Sequence, residues 1–273
     1  MSEGNMADAG EREAEALVAG FTYLSFEVTV TPEDQAEKHR LCGVDTRLFG
    51  DYADITYFAN QAILATKRAG ITINGSVHMT QRYRLMEPIM VGEKLEQLGE
   101  ITSTEDTPKG RIVRSTFTYV RPDGSVPMVA ERSSIRLDLG TGEKPAARES
   151  SAPKAAEPLP EHELSVVQFV PENVAAYSAE ADNRIHSHPE VARQFGFRAP
   201  IAGGLMASRL MMEALYRKGP VRSLEMEIRF LRPMFWDDRL RVVGNADLTA
   251  LAVVGPHGKP TSRAVVESIS YLR

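Results

Sequence analysis

The sequence predicts an α+β protein made of two copies of one unit, each with one long central helix wrapped by a curved antiparallel sheet. Two segments in different halves of the chain align with each other without a gap. Each half also has one long segment of helical character, and a polar, proline-rich segment separates the halves. A helix that is apolar on most sides needs a sheet around it, and two such sheets can join edge to edge and protect their edges.

The alignment pairs QRYRLMEPIMVGEKLEQLGEIT at 81–102 with MEIRFLRPMFWDDRLRVVGNAD at 226–247 and places Pro88 on Pro233. Residues of alternating polarity open the second segment, which is the pattern of a strand with one buried face. The repeat spans about 110–130 residues, which is too long for a solenoid repeat. The chain is therefore predicted to contain an internal duplication.

Each copy has the same order of elements. Central helices are predicted within 53–70 and 203–219, and the second is apolar on nearly every side. Further along, RPDGSVP at 121–127 and GPHGKP at 255–260 are glycine-containing turns between apolar segments, which predict hairpins.

The predicted domain organisation follows from the segment at 139–163. It is rich in Gly, Pro, Ala, Ser and charge without apolar periodicity, so it cannot bury enough surface to form a core and is predicted to be a linker. The chain is accordingly divided into an N-terminal arm at 1–20, an N-terminal unit at 21–138, the linker, and a C-terminal unit at 164–273.

Composition restricts the class of protein. The net charge of −5 argues against a nucleic-acid partner, and no apolar segment reaches the length of about 20 residues that spans a membrane. The single cysteine, Cys42, excludes an intrachain disulfide and a CxxC metal site. No secretory signal, nucleotide-binding motif or metal-ligand cluster is recognised, so we expect a cytoplasmic protein without a cofactor or metal.

The segment DNRIHSHPEVARQFGFRAPIAGGLMAS at 182–208 admits two interpretations. In the structural one, Asp182, Asn183 and His186 cap a short helix, and Gly203 and Gly204 allow the chain to turn into the central helix. In the chemical one, the helix N-terminus presents free N–H groups to a thioester carbonyl oxygen, with His186 and Asp182 beside it as acid and base.

A resemblance favours the chemical interpretation. Asn183, Ile185 and His186 are in register with the signature of the MaoC-like (R)-specific enoyl-CoA hydratases, the hydratase-2 group of the hotdog fold, and GFRAPIAGGLMAS at 196–208 and RFLRPMFWDDRL at 229–240 resemble its later motifs. The resemblance covers 165–273 and, at the level of fold and repeat, the first half as well. It implies a double hotdog whose N-terminal copy is non-catalytic.

The resemblance implies reversible hydration of a trans-2-enoyl-CoA thioester, or dehydration of a 3-hydroxyacyl thioester. His186 is expected to be the general acid/base, assisted by Asp182. The Gly204 N–H, next to Gly203, is expected to bind the thioester oxygen, and Asn183 to orient the loop or the catalytic water. The substrate carries coenzyme A or acyl carrier protein, no separate cofactor is implied, and a homodimer or higher homo-oligomer is expected.

Three positions depart from the family pattern. Ala181 stands where the family has its catalytic Asp, Arg184 replaces a Pro, and Gly203 replaces the His before the oxyanion glycine. The loss at Ala181 leaves three alternatives. In one, Asp182 or, less readily, Glu180 substitutes for the missing carboxylate.

In the second alternative, His186 works with Asn183 alone. In the third, the chain binds acyl thioesters without hydrating them. A rival function is thioester hydrolysis, which uses the same fold and oxyanion site with a carboxylate directing water at the carbonyl carbon.

The N-terminal copy offers little chemistry of its own. Its equivalent loop has Asp45, Arg47 and Phe49 but no histidine, which predicts a structural copy. His78 lies in a predicted strand and is interpreted as a packed or surface residue. Asn60 interrupts the first central helix and is interpreted as a buried polar residue that pairs with a neighbour.

Overall fold

The structure is a computed structural model that describes residues 17–73, 76–137 and 158–272. The N-terminal unit consists of β1 (Phe26–Thr29), α1 (Pro32–Cys42), α2 (Thr56–Arg68), β2 (Ser76–Leu85), β3 (Lys94–Thr107), β4 (Gly110–Val120) and β5 (Met128–Leu137). The C-terminal unit consists of β6 (His162–Gln168), α3 (Pro171–Ser178), α4 (Pro189–Gln194), α5 (Gly204–Tyr216), β7 (Val221–Phe230), β8 (Arg239–Gly244), β9 (Ala250–Val254) and β10 (Pro260–Tyr271).

The strands of both units form one antiparallel sheet in the order β1-β3-β4-β5-β2-β7-β10-β9-β8-β6. Read from its outer edge inward, the second half has the order β6-β8-β9-β10-β7, which repeats the order of the first. The two units are thus two copies of one topology, and they are joined by the pairing of β2 with β7. This architecture confirms the predicted fold of two wrapped central helices.

The register at the seam between the units is itself two-fold symmetric. Arg82 lies opposite Glu227, and the sequence alignment makes these two positions equivalent. Arg82 forms ion pairs across the seam, at 2.7 Å to Glu225 and 2.6 Å to Glu267. These groups are partly exposed, so the ion pairs fix the register of the strands more than they stabilise the fold.

The central helices begin and end close to the predicted positions. All residues of α5 except Gly204 are buried, as its apolar sequence predicted. Its leucines and methionines fill the core of the C-terminal unit, and burying each such side chain stabilises the fold by about 1.5–3 kcal/mol. α5 also packs against α2, so the two cores form one continuous cluster.

The structure corrects several details at the domain boundaries. Each unit also has a helix ahead of its central helix, α1 or α3, that was not predicted from the sequence. β6 begins at His162, inside the predicted linker, whose residues 139–157 lie outside the described residues. Of the predicted arm, residues 1–16 also lie outside them, and residues 17–20 lie against the sheet, where the Gly20 N–H donates to the Ile101 carbonyl at 2.8 Å.

A buried polar network joins the units where α2 and α5 meet. Arg209 of α5 lies 3.1 Å from Asp54 of the N-terminal unit, and both are fully buried. The Arg209 guanidinium also donates to Asn60 at 3.0 Å and to the Tyr177 hydroxyl at 2.6 Å. The Asp54 carboxylate also forms hydrogen bonds with the His39 ring, at 3.0 Å, and with the N–H and hydroxyl groups of Thr56.

In the described part of the chain, no helix is long and apolar enough to cross a membrane.

Candidate active site

A cleft opens between the two units and encloses about 1210 Å³, its open mouth included. The N-terminal unit contributes side chains from α2, β2 and β5. The C-terminal unit contributes the loop before α4, the start of α5, and residues of β7 and β10. Most of the lining is apolar, and the polar or charged groups in it are Asn60, Ser76, His78, Arg132, Tyr177, Ser178, Glu180, Asn183, His186, Arg232, Thr261 and Ser262.

His186 lines the cleft and is held in one tautomer. Its Nδ1 lies 2.7 Å from the carbonyl oxygen of Ile201, which can only accept, so Nδ1 carries the proton and donates it. The Nε2 lone pair therefore remains available to take a proton. Burial lowers the pKa of His186 from its usual 6.5, although the hydrogen bond to Ile201 opposes the shift. His186 is therefore neutral at pH 7 and fit to act as a base.

The N-terminus of α5 forms a second wall of the cleft. Gly203 is its N-cap and Gly204 its first helical residue, and the N–H groups of both lack an acceptor among the described residues. The Ala202 N–H is bonded to the Met234 carbonyl at 2.7 Å, which fixes the approach of the chain to the helix. A Cβ atom on Gly204 would lie 3.1 Å from the ring of Phe230, so only glycine leaves this space free. The free N–H groups and the helix dipole suit a carbonyl oxygen that gains negative charge.

Asn183 connects this loop to the N-terminal unit. It is buried, and its side-chain amide donates to the carbonyl oxygen of Ser76 at the start of β2, at 3.2 Å. The structure thus brings Asn183, His186, Gly203 and Gly204 to one cleft, as expected from the sequence.

The structure does not bring Asp182 to this cleft, which corrects its assignment as the partner of His186. The 3₁₀ turn Ala179–Ala181 runs along the cleft, so Glu180 and Ala181 line it. Asp182 then adopts a left-handed conformation with φ of 54°, reverses the chain and is exposed. The carboxylate in the lining is that of Glu180, which forms an ion pair with Lys38 at 3.3 Å.

The equivalent position in the N-terminal unit is filled. The Ala53 N–H is bonded to the Ile89 carbonyl as the Ala202 N–H is to that of Met234, which makes Asp54 and Ile55 the counterparts of Gly203 and Gly204. Asp54 and Ile55 are both buried, and so leave no space for a ligand. Of the residues noted in the N-terminal loop, Asp45 pairs with the exposed Arg47 at 2.8 Å, and Phe49 is buried against Tyr216.

His78 and Arg132 are among the polar residues of the cleft that were not expected there from the sequence. His78 was interpreted as packed or surface, but it lines the cleft with its ring 4.8 Å from that of Phe230. Arg132 was not considered at all. The signal for Arg132 was its position two residues after the apolar Ala130 in a strand, because alternate residues of a strand project to the same face of the sheet.

The known proteins similar to this chain share its fold. Residues 150–247 match a family model described as MaoC like domain. Among solved structures, HtdX of Mycobacterium tuberculosis is 18% identical with a TM-score of 0.73, and the match covers 89% of this chain and 98% of that one. A MaoC-like dehydratase of Phytophthora capsici is 15% identical with a TM-score of 0.67, covering 93% and 97%.

A second protein of Mycobacterium tuberculosis, described as having a double hotdog fold, is 14% identical with a TM-score of 0.58, covering 89% of this chain and 94% of that one. No curated protein sequence matches the chain significantly. The structural matches, together with the sheet order, confirm the double hotdog fold.

Proposed function

We propose that the protein adds water reversibly to the α,β double bond of an enoyl thioester, a reaction class that the match of residues 150–247 to the MaoC like domain supports. The observation that carries this proposal is the meeting of His186, fixed with a free Nε2, and the unbonded N–H groups of α5 in one cleft. A base and an oxyanion site are the two groups that this addition needs.

The hydration follows from these positions. The thioester oxygen accepts from the Gly204 N–H, which draws electron density from the β-carbon. His186 Nε2 takes a proton from water while the water oxygen bonds to the β-carbon, and the carbonyl oxygen gains negative charge as an enolate. His186 then gives the proton to the α-carbon, and the carbonyl forms again. The reverse sequence dehydrates the 3-hydroxyacyl thioester, and no separate cofactor takes part.

In this proposal His186 works without Asp182, because Asp182 is exposed outside the cleft. At the preceding position, the side chain beside the cleft is the methyl group of Ala181. Asn183 positions the loop through its bond to Ser76. Glu180 is the carboxylate that remains in the lining, held toward Lys38.

Ala181 also favours a second candidate function, the binding of acyl thioesters without turnover. A cleft with an oxyanion site, whose lining carboxylate Glu180 is paired with Lys38 and is not free to orient water, binds the ground state and accelerates the reaction little. The two candidates differ in whether bound enoyl thioester is consumed.

The test uses crotonyl-CoA and longer trans-2-enoyl-CoA thioesters, with loss of the enoyl absorbance and release of free thiol followed together. We expect absorbance loss without thiol release, and a loss of rate of about 10²- to 10⁴-fold in His186→Ala. His188→Ala is the matched control, because His188 lies two residues away and outside the cleft lining and bonds to the Ser187 hydroxyl. Binding without absorbance loss would support the second candidate, and thiol release would indicate a thioesterase.

We also propose, from the family resemblance, that the protein works in the cytoplasm as a homodimer or a higher homo-oligomer. Light scattering coupled to gel filtration would measure the mass of the assembly directly.

A further inference from the structure

We propose that Arg132 binds a carboxylate on the acyl group, so that the substrate is the monothioester of a dicarboxylic acid. This inference rests on the proposed function for the position of the thioester end. It adds the chemical class of the acyl group, which neither His186 nor the α5 N-terminus specifies.

Arg132 lies on the inner face of the sheet. It is paired with Gln81 of β2 on one side and with Ser115 of β4 on the other, and both are buried, at 1% and 5% exposure. Directly opposed residues of antiparallel strands project to the same face. Ala130, two residues earlier on the same face, is also buried. The side chain of Arg132 therefore projects to the inner face, and Arg132 is among the residues that line the cleft.

No carboxylate among the described residues pairs with Arg132, and it forms no hydrogen bond with them. Other arginines of the sheet and core are paired, such as Arg82 with Glu225 and Arg209 with Asp54. Burial disfavours the charged form of Arg132 and lowers its pKa. A desolvated cation without a counter-charge is costly, so an unpaired guanidinium in a cleft indicates an anionic ligand. A carboxylate fits its fork of donors with two parallel hydrogen bonds.

Further donors stand beside it without partners. Both ring nitrogens of His78 and the hydroxyl of Ser262 are buried without a hydrogen-bond partner among the described residues, and both residues line the same cleft. Burial and the charge of Arg132 lower the pKa of His78 and outweigh the opposing effect of the nearby Thr80 and Gln81, so the ring is neutral and offers one N–H. A carboxylate seated here would satisfy groups that the chain leaves unsatisfied.

The anion could come from the acyl group or from a phosphate of coenzyme A, and the position of Arg132 favours the acyl group. Apolar Ile63 and Leu64 of α2 line the cleft in the same unit. The coenzyme phosphates are bulky and strongly hydrated, so they belong at the mouth. An arginine suited to them, Arg232, is exposed there and donates to the Pro260 carbonyl.

The test compares pairs of thioesters that differ only in the end of the acyl group. Succinyl-CoA, glutaryl-CoA and adipyl-CoA are paired with butyryl-CoA, valeryl-CoA and hexanoyl-CoA, and binding is measured by calorimetry. These compounds are saturated, so the result does not depend on hydratase activity. The wild-type protein is expected to bind at least one dicarboxylic member about 10- to 100-fold more tightly than its partner.

Arg132→Gln is expected to abolish that preference while leaving the affinity for butyryl-CoA nearly unchanged. Arg232→Gln is the matched control and should leave the preference intact, whatever it does to the affinity for coenzyme A. Arg132→Met should also raise the melting temperature of the free protein, since it removes an uncompensated charge. A purely structural arginine would give the opposite shift.

Three results would overturn the proposal. One is equal binding of both members of every pair. Another is an equal loss for both members in Arg132→Gln, which would assign Arg132 to a coenzyme phosphate. The third is a preference for dicarboxylic members that survives in Arg132→Gln. If the wild-type protein prefers the dicarboxylic members but does not turn over trans-2-enoyl-CoA, only the proposed function is contradicted.

Discussion

At the scale of the residue, His186 depends on one hydrogen bond and on its burial. The carbonyl of Ile201 fixes the proton on Nδ1, and burial lowers the pKa, so Nε2 is unprotonated at neutral pH. Ile201 itself comes just before the two glycines of α5. The same short segment therefore sets both the tautomer of the base and the approach to the oxyanion site.

The lowered pKa of His186 gives a prediction for the pH dependence. The base is active when neutral, so kcat/KM for hydration should be constant at neutral pH and fall only at a pH below 6.5. Steady-state rates measured from pH 4.5 to 8 follow this fall of kcat/KM at acidic pH and give its midpoint. Glu180→Gln should leave its midpoint in place. A midpoint above 6.5, or one that disappears in Glu180→Gln, would contradict the assignment of His186.

At the scale of the element, the N-terminus of α5 combines two properties. It is the start of a helix whose other residues are all buried, and it carries N–H groups that lack an acceptor among the described residues. Gly204 is close to the Phe230 ring, whereas a Cβ on Gly203 would be 3.7 Å from its nearest neighbour, Ser178. The two glycines thus differ in how much space they provide.

The variants Gly204→Ala and Gly204→Pro distinguish the effect of losing the Gly204 N–H donor from the effect of filling the space beside Phe230. Both add a Cβ that presses on Phe230, but only proline removes the N–H, and proline is well tolerated at the first position of a helix. We expect Gly204→Pro to lower kcat about 10²- to 10³-fold further than Gly204→Ala, the usual effect of losing one oxyanion donor. Gly203→Ala is the control and should be close to wild type in stability. Equal rates for the two Gly204 variants would rule out the Gly204 N–H as the donor.

At the scale of the whole molecule, the buried network of Arg209 and Asp54 holds the two units together. The two residues come from different units, and Asn60 and Arg209 occupy equivalent positions on α2 and α5, where they are hydrogen-bonded to each other. Burial raises the pKa of Asp54, but the Arg209 guanidinium and the hydrogen bonds from His39 and Thr56 outweigh it and hold the pKa at about 2. The network also reaches the cleft, because Asn60 and Tyr177 line it.

Arg209→Met is expected to lower the free energy of unfolding by about 3–5 kcal/mol at pH 7, because it leaves Asp54 charged and buried. The pKa of Asp54 is lower in the folded than in the unfolded state, so its contribution to stability is present above pH ~4 and is lost as the pH falls toward ~2. The difference between variant and wild type should therefore shrink over that interval in urea denaturation.

Arg40→Met is the control: it removes the ion pair with Glu37, in which both side chains are exposed, and should change the free energy of unfolding little. A similar cost for Arg209→Met, or a difference that does not change with pH, would show that the buried pair does not stabilise the joined units.

The sequence by itself determined the duplication, the two central helices, the hairpins and the segment that carries His186. These features depend on local patterns, namely the alternation of burial along strands, the apolar faces of helices and the glycines at turns, and each pattern is legible within one segment. It also predicted that Asn183, Gly203 and Gly204 would lie near His186, because they come before and after it along the chain.

Only the tertiary structure decided which side chains enter the cleft. Asp182 and Ala181 are neighbours in sequence, but the left-handed turn at Asp182 exposes the carboxylate and leaves the methyl group beside the cleft. Arg132 is more than 50 residues from His186 in the chain, and it reaches the cleft because β2 pairs with β7 and carries β5 with it. Such placements depend on chain reversal and on pairing between distant strands, which no local pattern in the sequence encodes.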